Sequence, residues 1–330
     1  MSTIATPQIA LHPGLGAQTT AIEALAGRDL SGRHAIVTGG YSGLGLETVR
    51  VLAGAGAGAR VTVPGRDLAQ AQLALQGIAG VDIAALDLLD PSSIDAFASA
   101  FLATGAPLHM LVNSAGIMAC PLRRDARGYE AQFATNHLGH FQLTARLWPA
   151  LRRANGARVV SVSSRGHVIA PIDLTDPHFQ HRPYDKWQAY AQSKNANALF
   201  AVELDRLGAA HGVRAFSLHP GSILTPLARH LDLEDLRSVG ALDEHDRVNP
   251  PPESNFKTVQ QGAATAVWCA TSAQLDGMGG VYCEDCDIAC VMADDGMGAG
   301  VRRSAIDPQL ARRLWALSER MTGVAFDPAS

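Results

Sequence analysis

Tyr190 and Lys194 stand four residues apart in a segment, Trp187 to Gly208, whose pattern is helical. Their side chains therefore share one face of that helix. A tyrosine titrates near about 10 and is a poor base at neutral pH, but a neighbouring ammonium favours the phenolate and lowers that value. Such a pair can pass a proton to or from a substrate oxygen. Taken alone, the spacing reads more simply as an exposed aromatic beside a lysine, so the surrounding motifs have to decide. Ser164 directly follows an apolar stretch, Ala157 to Val162, that reads as a strand, and its hydroxyl could polarise the same oxygen. Ser161 and Ser163 compete for that role. Ser161 falls inside the strand and Ser163 one register early, which leaves Ser164. His137, His140, His167 and His219 lie near apolar segments and read as satisfied structural groups, with His167 a candidate for lining the substrate entrance.

A second constellation, Thr38-Gly-Gly-Tyr-Ser-Gly-Leu-Gly45, lies between a strand and a helix. Glycines there permit a tight turn and close approach of a ligand, and the helix start offers free N–H groups to a diphosphate. A glycine cluster is weak by itself; its place after the first strand gives it weight. No Gly-Lys-Ser/Thr follows, which excludes a P-loop. At the end of the second strand an acidic residue would take a ribose 2′-hydroxyl, whereas arginine suits a 2′-phosphate. The sequence there is Pro64-Gly65-Arg66-Asp67. This leans towards NADP(H), with NAD(H) open, because Asp67 could pair with Arg66 or start the next helix.

The elements that position these groups alternate. Strands are expected at His34 to Thr38, Arg60 to Val63 (ended by Pro64-Gly65), Val81 to Leu86, Leu108 to Val112, Ala157 to Val162 and Val213 to Leu218, with a short one near Gly280 to Tyr282. Helices are expected after the glycine turn and at Asp67 to Gln76, Pro91 to Leu102, Gly128 to Leu151 (one or two), Trp187 to Gly208 and Thr258 to Thr271. Short, apolar, β-branched strands separated by helices indicate parallel βαβ crossovers and a doubly wound α/β sandwich of about seven strands. Residues 1–30 read as an extension with a short helix around Thr20 to Ala26, and residues 31–283 as the catalytic unit. Residues 224–257, with Pro226, Leu227, Leu231, Leu236 and Pro250-Pro-Pro252, read as a substrate lid. Residues 284–330 form a tail with a helix from Pro308 to Met321, packing on the domain or on a neighbouring subunit.

The chain has 330 residues, 47% hydrophobic and 18% charged, with 27 basic against 31 acidic side chains and a net charge of -4. That balance, without basic runs, argues against nucleic acid as a partner. The start has neither a basic segment nor a continuous apolar one, and no stretch is long enough to span a membrane, so a cytoplasmic location is the default expectation. Cys283-Glu-Asp-Cys286 has metal-like spacing, but with Cys290 as the sole nearby addition and no histidine after His245, reduced thiols without a metal are the better reading.

Taken in order, these motifs resemble the short-chain dehydrogenase/reductase family across roughly residues 30 to 283. The resemblance implies a three-layer α/β/α Rossmann fold. Thr38-Gly-x-x-x-Gly-x-Gly45 is similar to the family's cofactor turn, in which Gly39, Tyr41, Ser42, Gly43, Leu44 and Gly45 would touch the dinucleotide. Asp87, followed by Leu88, resembles the aspartate beside the adenine. Asn113-Ser-Ala-Gly116 is similar to the fourth-strand motif, with Asn113 bracing the strand and Ala115 and Gly116 letting the cofactor lie flat. Asn136 in Thr-Asn-His-Leu-Gly-His resembles the asparagine that bends its helix and holds a water leading to Lys194. Ser164, Tyr190 and Lys194 resemble the catalytic trio, with Lys194 also holding the nicotinamide ribose. Pro220-Gly221, Ile223 and Thr225 resemble the segment that closes on the nicotinamide. Val-Ser-Ser-Arg-Gly-His167 and the run Tyr184 to Phe200 are similar to the retinol-dehydrogenase-like branch, which includes the oxidoreductase half of WW-domain-containing oxidoreductases. The resemblance implies an NAD(P)(H)-dependent interconversion of a bulky apolar or secondary alcohol and its carbonyl, in a homodimer or homotetramer. An epimerase or dehydratase, or a non-catalytic cofactor-binding protein, could use the same scaffold.

Overall fold

A computed structural model describes residues 6–54, 58–242, 245–248, 256–293, 296 and 298–329. Eight strands form one sheet: β1 His34–Thr38, β2 Arg60–Gly65, β3 Val81–Ala85, β4 Met110–Asn113, β5 Ala157–Val162, β6 Val213–His219, β7 Val281–Glu284 and β8 Asp287–Ile288. Their order is β3-β2-β1-β4-β5-β6-β7-β8. All pairings are parallel except β7 with β8, a two-residue strand that extends the expected seven. The helices are α1 Ala21–Leu25, α2 Gly43–Gly54, α3 Leu68–Ala74, α4 Pro91–Ala103, α5 Ala131–Phe133, α6 Gly139–Arg146, α7 Trp148–Arg153, α8 Lys186–Gly208, α9 Leu233–Ser238, α10 Val259–Gly262, α11 Ala264–Thr271 and α12 Pro308–Thr322. Among the described residues no helix is long and apolar enough to cross a membrane.

Several boundaries follow from local chemistry. Asp67, Asp90, Asp185 and Asp307 each sit at an N-cap and accept a backbone N–H from the first turn, with Pro91 and Pro308 next in line. Pro64 lies inside β2, whereas the sequence pattern ends the strand before it. Beyond Thr62 the strand pairs only with β3, because β1 has turned away into the glycine loop, so a missing N–H is tolerated there. The helix expected over Thr258 to Thr271 is two, divided at Ala263. Between α5 and α6, residues Ala134–Leu138 form a π-helical turn.

The sheet order reverses between β1 and β4, and Thr38 and Asn113 face each other at that edge. Strands diverging from this point leave a crevice at their carboxyl ends. Both sheet faces are covered. On one, α1, α10 and α11 pack with β-strand side chains around Trp268, Leu52 and Val267; on the other, α4, α6 and α7 pack around Phe141, Trp148 and Phe200. The N-terminal residues are part of this packing, since Ala21 and Leu25 are buried and Gln8 bonds the backbone of Tyr282 and Ala289.

The tail helix α12 lies along α8. Trp315 stacks on Phe200 at 5.7 Å and meets Phe141 edge-on at 4.9 Å, and Ser318 bonds His137 of the π-turn at 2.7 Å. Trp315→Ala should therefore cost about 3 to 5 kcal/mol, as buried aromatic truncations do, and lower the melting temperature by several degrees. An unchanged thermal melt would show that α12 adds nothing to the stability of α8.

Candidate active site

A cavity of about 740 Å³ occupies the crevice. It runs from the glycine turn and Arg66 to Ser164, Tyr190, Lys194 and the segment from Pro220 to Leu231. Of the residues singled out from sequence, Gly39, Tyr41, Ser42, Gly43, Leu44, Gly45, Arg66, Asp87, Leu88, Ala115, Gly116, Ser164, Tyr190, Lys194, Pro220, Gly221, Ile223 and Thr225 all line it. Asn113 and Asn136 do not; both sit behind the wall.

At the entrance to the crevice, Gly39 has φ +68° and any Cβ there would lie 3.0 Å from the Ala115 backbone. The turn can close against β4 only with glycine at this position. Thr38 Oγ1 accepts the N–H groups of Ser114 and Ala115, both at 3.0 Å. A Cβ on Gly43 would meet the Thr225 side chain at 3.3 Å, and Ile223 and Leu44 converge over Gly262. The segment after β6 thus closes on the turn. Nearby, a Cβ on Gly65 would be 2.4 Å from the Tyr41 ring, so the ring occupies the space an acidic side chain at 65 would need. Asp67 is spent on capping α3, and no ion pair joins it to Arg66 among the described residues. Arg66 lines the cavity, and no counter-charge pairs with it among the described residues.

At the inner end, Tyr190 and Lys194 project from α8 and both are buried. Burial pushes the Tyr190 phenol up to about 12, and the adjacent Ser164 hydroxyl works in the opposite direction. Burial lowers Lys194 to about 8, and its Nζ donates to the Val162 carbonyl at 2.9 Å. The ammonium stands 5.6 Å from the centre of the Tyr190 ring. Sequence spacing leads one to expect Lys194 to lower the phenol; in the fold the net shift is upward, because burying a phenolate is costly.

The three serines separate cleanly. Ser161 is buried in β5, and Ser163 donates to the Lys194 carbonyl at 2.7 Å. Ser164 Oγ accepts the Gly166 N–H at 3.0 Å and stands beside Tyr190. Its peptide is fixed from behind. The Ser164 carbonyl accepts from His167 Nδ1 at 2.7 Å and from the Tyr282 hydroxyl at 3.2 Å. His167 Nε2 accepts the Arg302 N–H, which sets the Nδ1–H tautomer. The next peptide N–H, that of Arg165, donates to His219 Nδ1 at 3.0 Å. Both histidines are held below their ordinary value by burial first, so they act as neutral struts. His167 is buried here and is not an entrance residue, because its ring is drawn inward by these bonds.

Asn136 braces the opposite wall. Its Oδ1 accepts from Ile117 N, and its Nδ2 donates to Ile117 O and Ser193 Oγ, each at 2.9 Å. The expected bend is the π-turn, and the Asn136 carbonyl there accepts from His140 Nδ1 at 3.0 Å. His140 Nε2 meets Thr38 Oγ1 at 2.9 Å, tying this turn to the end of β1. Asn113 Nδ2 reaches Thr144 on α6.

Sequence reasoning missed Gly166, His219 as a strut, Tyr282 and Trp187. Trp187 had a signal, since it lies one turn before Tyr190 on the same helix; their rings meet edge-on at 6.4 Å. Trp187 Nε1 and Lys186 Nζ both bind Asp235 of α9, anchoring the expected lid to the start of the catalytic helix. The lid's Pro226, Leu227 and Leu231 line the cavity and Leu236 does not; Pro250-Pro-Pro252 lie outside the described residues. Cys269, Cys283 and Cys286 are buried free thiols, and no group of three or more metal-ligating side chains occurs among the described residues.

Comparison with known proteins gives a consistent picture. The sequence model of the short chain dehydrogenase family matches residues 33–235. A protein of Streptomyces antibioticus described as a probable oxidoreductase is 49% identical over 295 residues, covering 87% of this chain and 96% of its own. Retinol dehydrogenase 11 of Homo sapiens is 35% identical over 334 residues, covering 98% of this chain and 94% of its own. A crystal structure of an uncharacterized protein from Mycobacterium paratuberculosis superposes with a TM-score of 0.69 at 34% identity, covering 91% of this chain and 96% of that one.

Gly166 offers a test of how tightly the phenol is held. A Cβ there would stand 2.7 and 2.9 Å from two Tyr190 ring carbons. Gly166→Ala should displace the ring and reduce kcat by about 10- to 100-fold, as sub-ångström misplacement does, with cofactor binding retained. Wild-type kcat in this variant would mean the ring has freedom that the packing denies it.

Proposed function

This chain belongs to the short-chain dehydrogenase/reductase family, an oxidoreductase acting on CH–OH groups, and we propose on that premise that it uses NADP(H) to interconvert a bulky apolar or secondary alcohol with its aldehyde or ketone. The observation that carries the reading is one continuous cavity with the glycine turn and Arg66 at one end and Tyr190, Ser164 and Lys194 at the other. A nicotinamide cofactor, when bound, would supply or accept the hydride. The residues present fit it: Gly39 to Gly45 would cradle the diphosphate, Asp87 and Leu88 the adenine, and Ala115 and Gly116 the face of the molecule, while Pro220, Gly221, Ile223 and Thr225 would cover the nicotinamide end.

The chain's own groups handle the proton and the geometry. Ser164, its hydroxyl proton unused by the Gly166 bond, would hold the substrate oxygen. Tyr190 would give that oxygen its proton in reduction and remove it in oxidation. A phenol held near 12 by burial is a proton donor at neutral pH, the form that carbonyl reduction needs. Lys194 would steady the ribose and favour the phenolate once the alcohol forms. Asn136 would hold the water route to Lys194 from the π-turn. In the same reading residues 31–283 are the catalytic unit, residues 224–257 its lid, and the assembly a homodimer or homotetramer. Leucine and proline side chains in the lid, and the name of the human relative, support an apolar substrate.

The preference for NADP(H) rests on Arg66, which has no counter-charge among the described residues, and on Tyr41 filling the place of an acidic side chain at 65. Arg66→Ala should weaken NADPH binding about tenfold or more, the worth of a hydrogen bond to a charged group, and leave NADH binding unchanged in the same fluorescence titration. Equal loss for both cofactors would remove Arg66 from the 2′-phosphate.

A turnover screen of apolar aldehydes, ketones and secondary alcohols tests the chemistry. Tyr190→Phe should lose at least about 100-fold in kcat, the scale of general acid–base catalysis. Cofactor binding without turnover of any of them would turn the reading to an epimerase or to a non-catalytic cofactor-binding protein.

A further inference from the structure

The described residues lining the cavity include five basic side chains, Arg66, Arg123, Arg165, Lys194 and Arg229, against a single carboxylate, Asp87. Three of the cations are accounted for. Arg165 pairs with Glu284 at 2.7 Å, Lys194 is bonded to Val162 beside Tyr190, and Arg66 lies at the end of β2. Arg123 and Arg229 remain. Arg123, in the segment between β4 and α5, has no side-chain partner among the described residues. Arg229 bonds only the carbonyl of Pro226, in its own turn, at 3.2 Å.

These two arginines lie more than a hundred residues apart in sequence yet line the same cavity. His230 is held below its ordinary value by burial first, and then by the charges of both Arg229 and Arg123. Both charges also act on the Cys120 thiol, where burial and Glu130 oppose them. Among the described residues, the carboxylates on the flanking segments are already committed. Asp232 and Asp235 hold Lys186, Asp125 holds Arg127, and Glu130 caps α5. Guanidinium forks match carboxylate and phosphate geometry. Met118, Ile169, Trp187, Leu227, Leu231 and Phe256 supply an apolar lining to the same cavity.

We propose that the substrate is amphipathic, with an apolar body in the cavity and an anionic head group, carboxylate or phosphate, held at the mouth by Arg123 and Arg229. This rests on reading the cavity as the substrate site, and it narrows the substrate class from apolar to apolar with a charged end. Both arginines are exposed, which places the head group at the solvent edge while the reacting carbon reaches inward to Tyr190.

The test is a binding measurement, so that it does not depend on turnover. Full-length protein saturated with NADPH is titrated with octanoate, octyl phosphate and 1-octanol, by calorimetry and by tryptophan fluorescence, which Trp187 reports from the cavity wall. At least one anion should bind about fivefold or more tighter than octanol, the scale of partly exposed charge-assisted contacts. That advantage should disappear in the Arg123→Gln/Arg229→Gln double variant and shrink at high salt, while octanol and NADPH binding stay unchanged. The proposal is overturned if neither anion binds better than octanol, or if the advantage survives in the double variant. It is also overturned if a double variant with a wild-type melt loses NADPH instead, which would assign the pair to the cofactor. If the double variant melts early, the two single variants are measured in its place, each expected to lose part of the advantage. Absence of catalytic turnover with any substrate would count against the oxidoreductase reading and leave this binding result standing.

Discussion

Helix α8 is buried on nearly every side while carrying polar residues along its length. Gln192, Ser193, Lys194, Asn195 and Asn197 are all buried, and a buried polar group without a partner costs about 1 to 3 kcal/mol. Much of the surrounding architecture can be understood as meeting that requirement. Asn195 Nδ2 donates to the carbonyls of His167 and Ala170, shaping the loop that follows Ser164. Asn197 Nδ2 and Lys194 Nζ share the Val162 carbonyl at the end of β5. Ser193 reaches Asn136, and Gln192 accepts the Asp173 N–H and an Arg182 bond. The helix that presents Tyr190 is also the scaffold on which the long β5–α8 connection is wound.

The inner end of the site is tied by hydrogen bonds to several elements at once. Ser164 is clamped between His167, Tyr282 and His219, and those struts draw on the tail through the Arg302 backbone and on β7 through Tyr282. Arg165 extends the link to Glu284, whose other oxygen accepts the Gly300 N–H. The tail therefore supports Ser164 from behind, although none of its described residues lines the cavity. Towards solvent the wall includes the turn Pro226–His230, followed by the short helix α9, which is held to α8 by Asp235. Ser164, Tyr190 and Lys194 are thus held at the sheet edge and on α8, whereas the solvent side of the cavity is built largely from connecting segments.

Much of the fold was legible because parallel strands buried on both faces are continuous apolar runs, and the helices between them carry explicit caps. Where the reading slipped, tertiary context was responsible. Pro64 ended a strand on paper but continues it in space, since its missing N–H faces no neighbour. The break at Ala263 and the π-turn at Ala134–Leu138 have no strong local punctuation. β8 is two residues long, too short for any periodicity. In the site, Tyr190, Lys194, the glycine turn and Pro220-Gly221 announce themselves through spacing and through their places at strand ends. Gly166, Tyr282 and His219 do not, because nothing in their local sequence says they will converge on Ser164 and Tyr190.

The sequence by itself determined the alternation of elements, the edge of the sheet where a ligand must bind, and which side chains could move a proton, because these depend on period and order along the chain. Tertiary structure alone decided that Asp67 caps a helix instead of neutralising Arg66, and that two distant arginines line one cavity. It also decided the protonation balance of Tyr190 and Lys194, since desolvation depends on what surrounds a group from every direction. Spacing along a helix can place two side chains on one face, but it cannot say how much water is left around them.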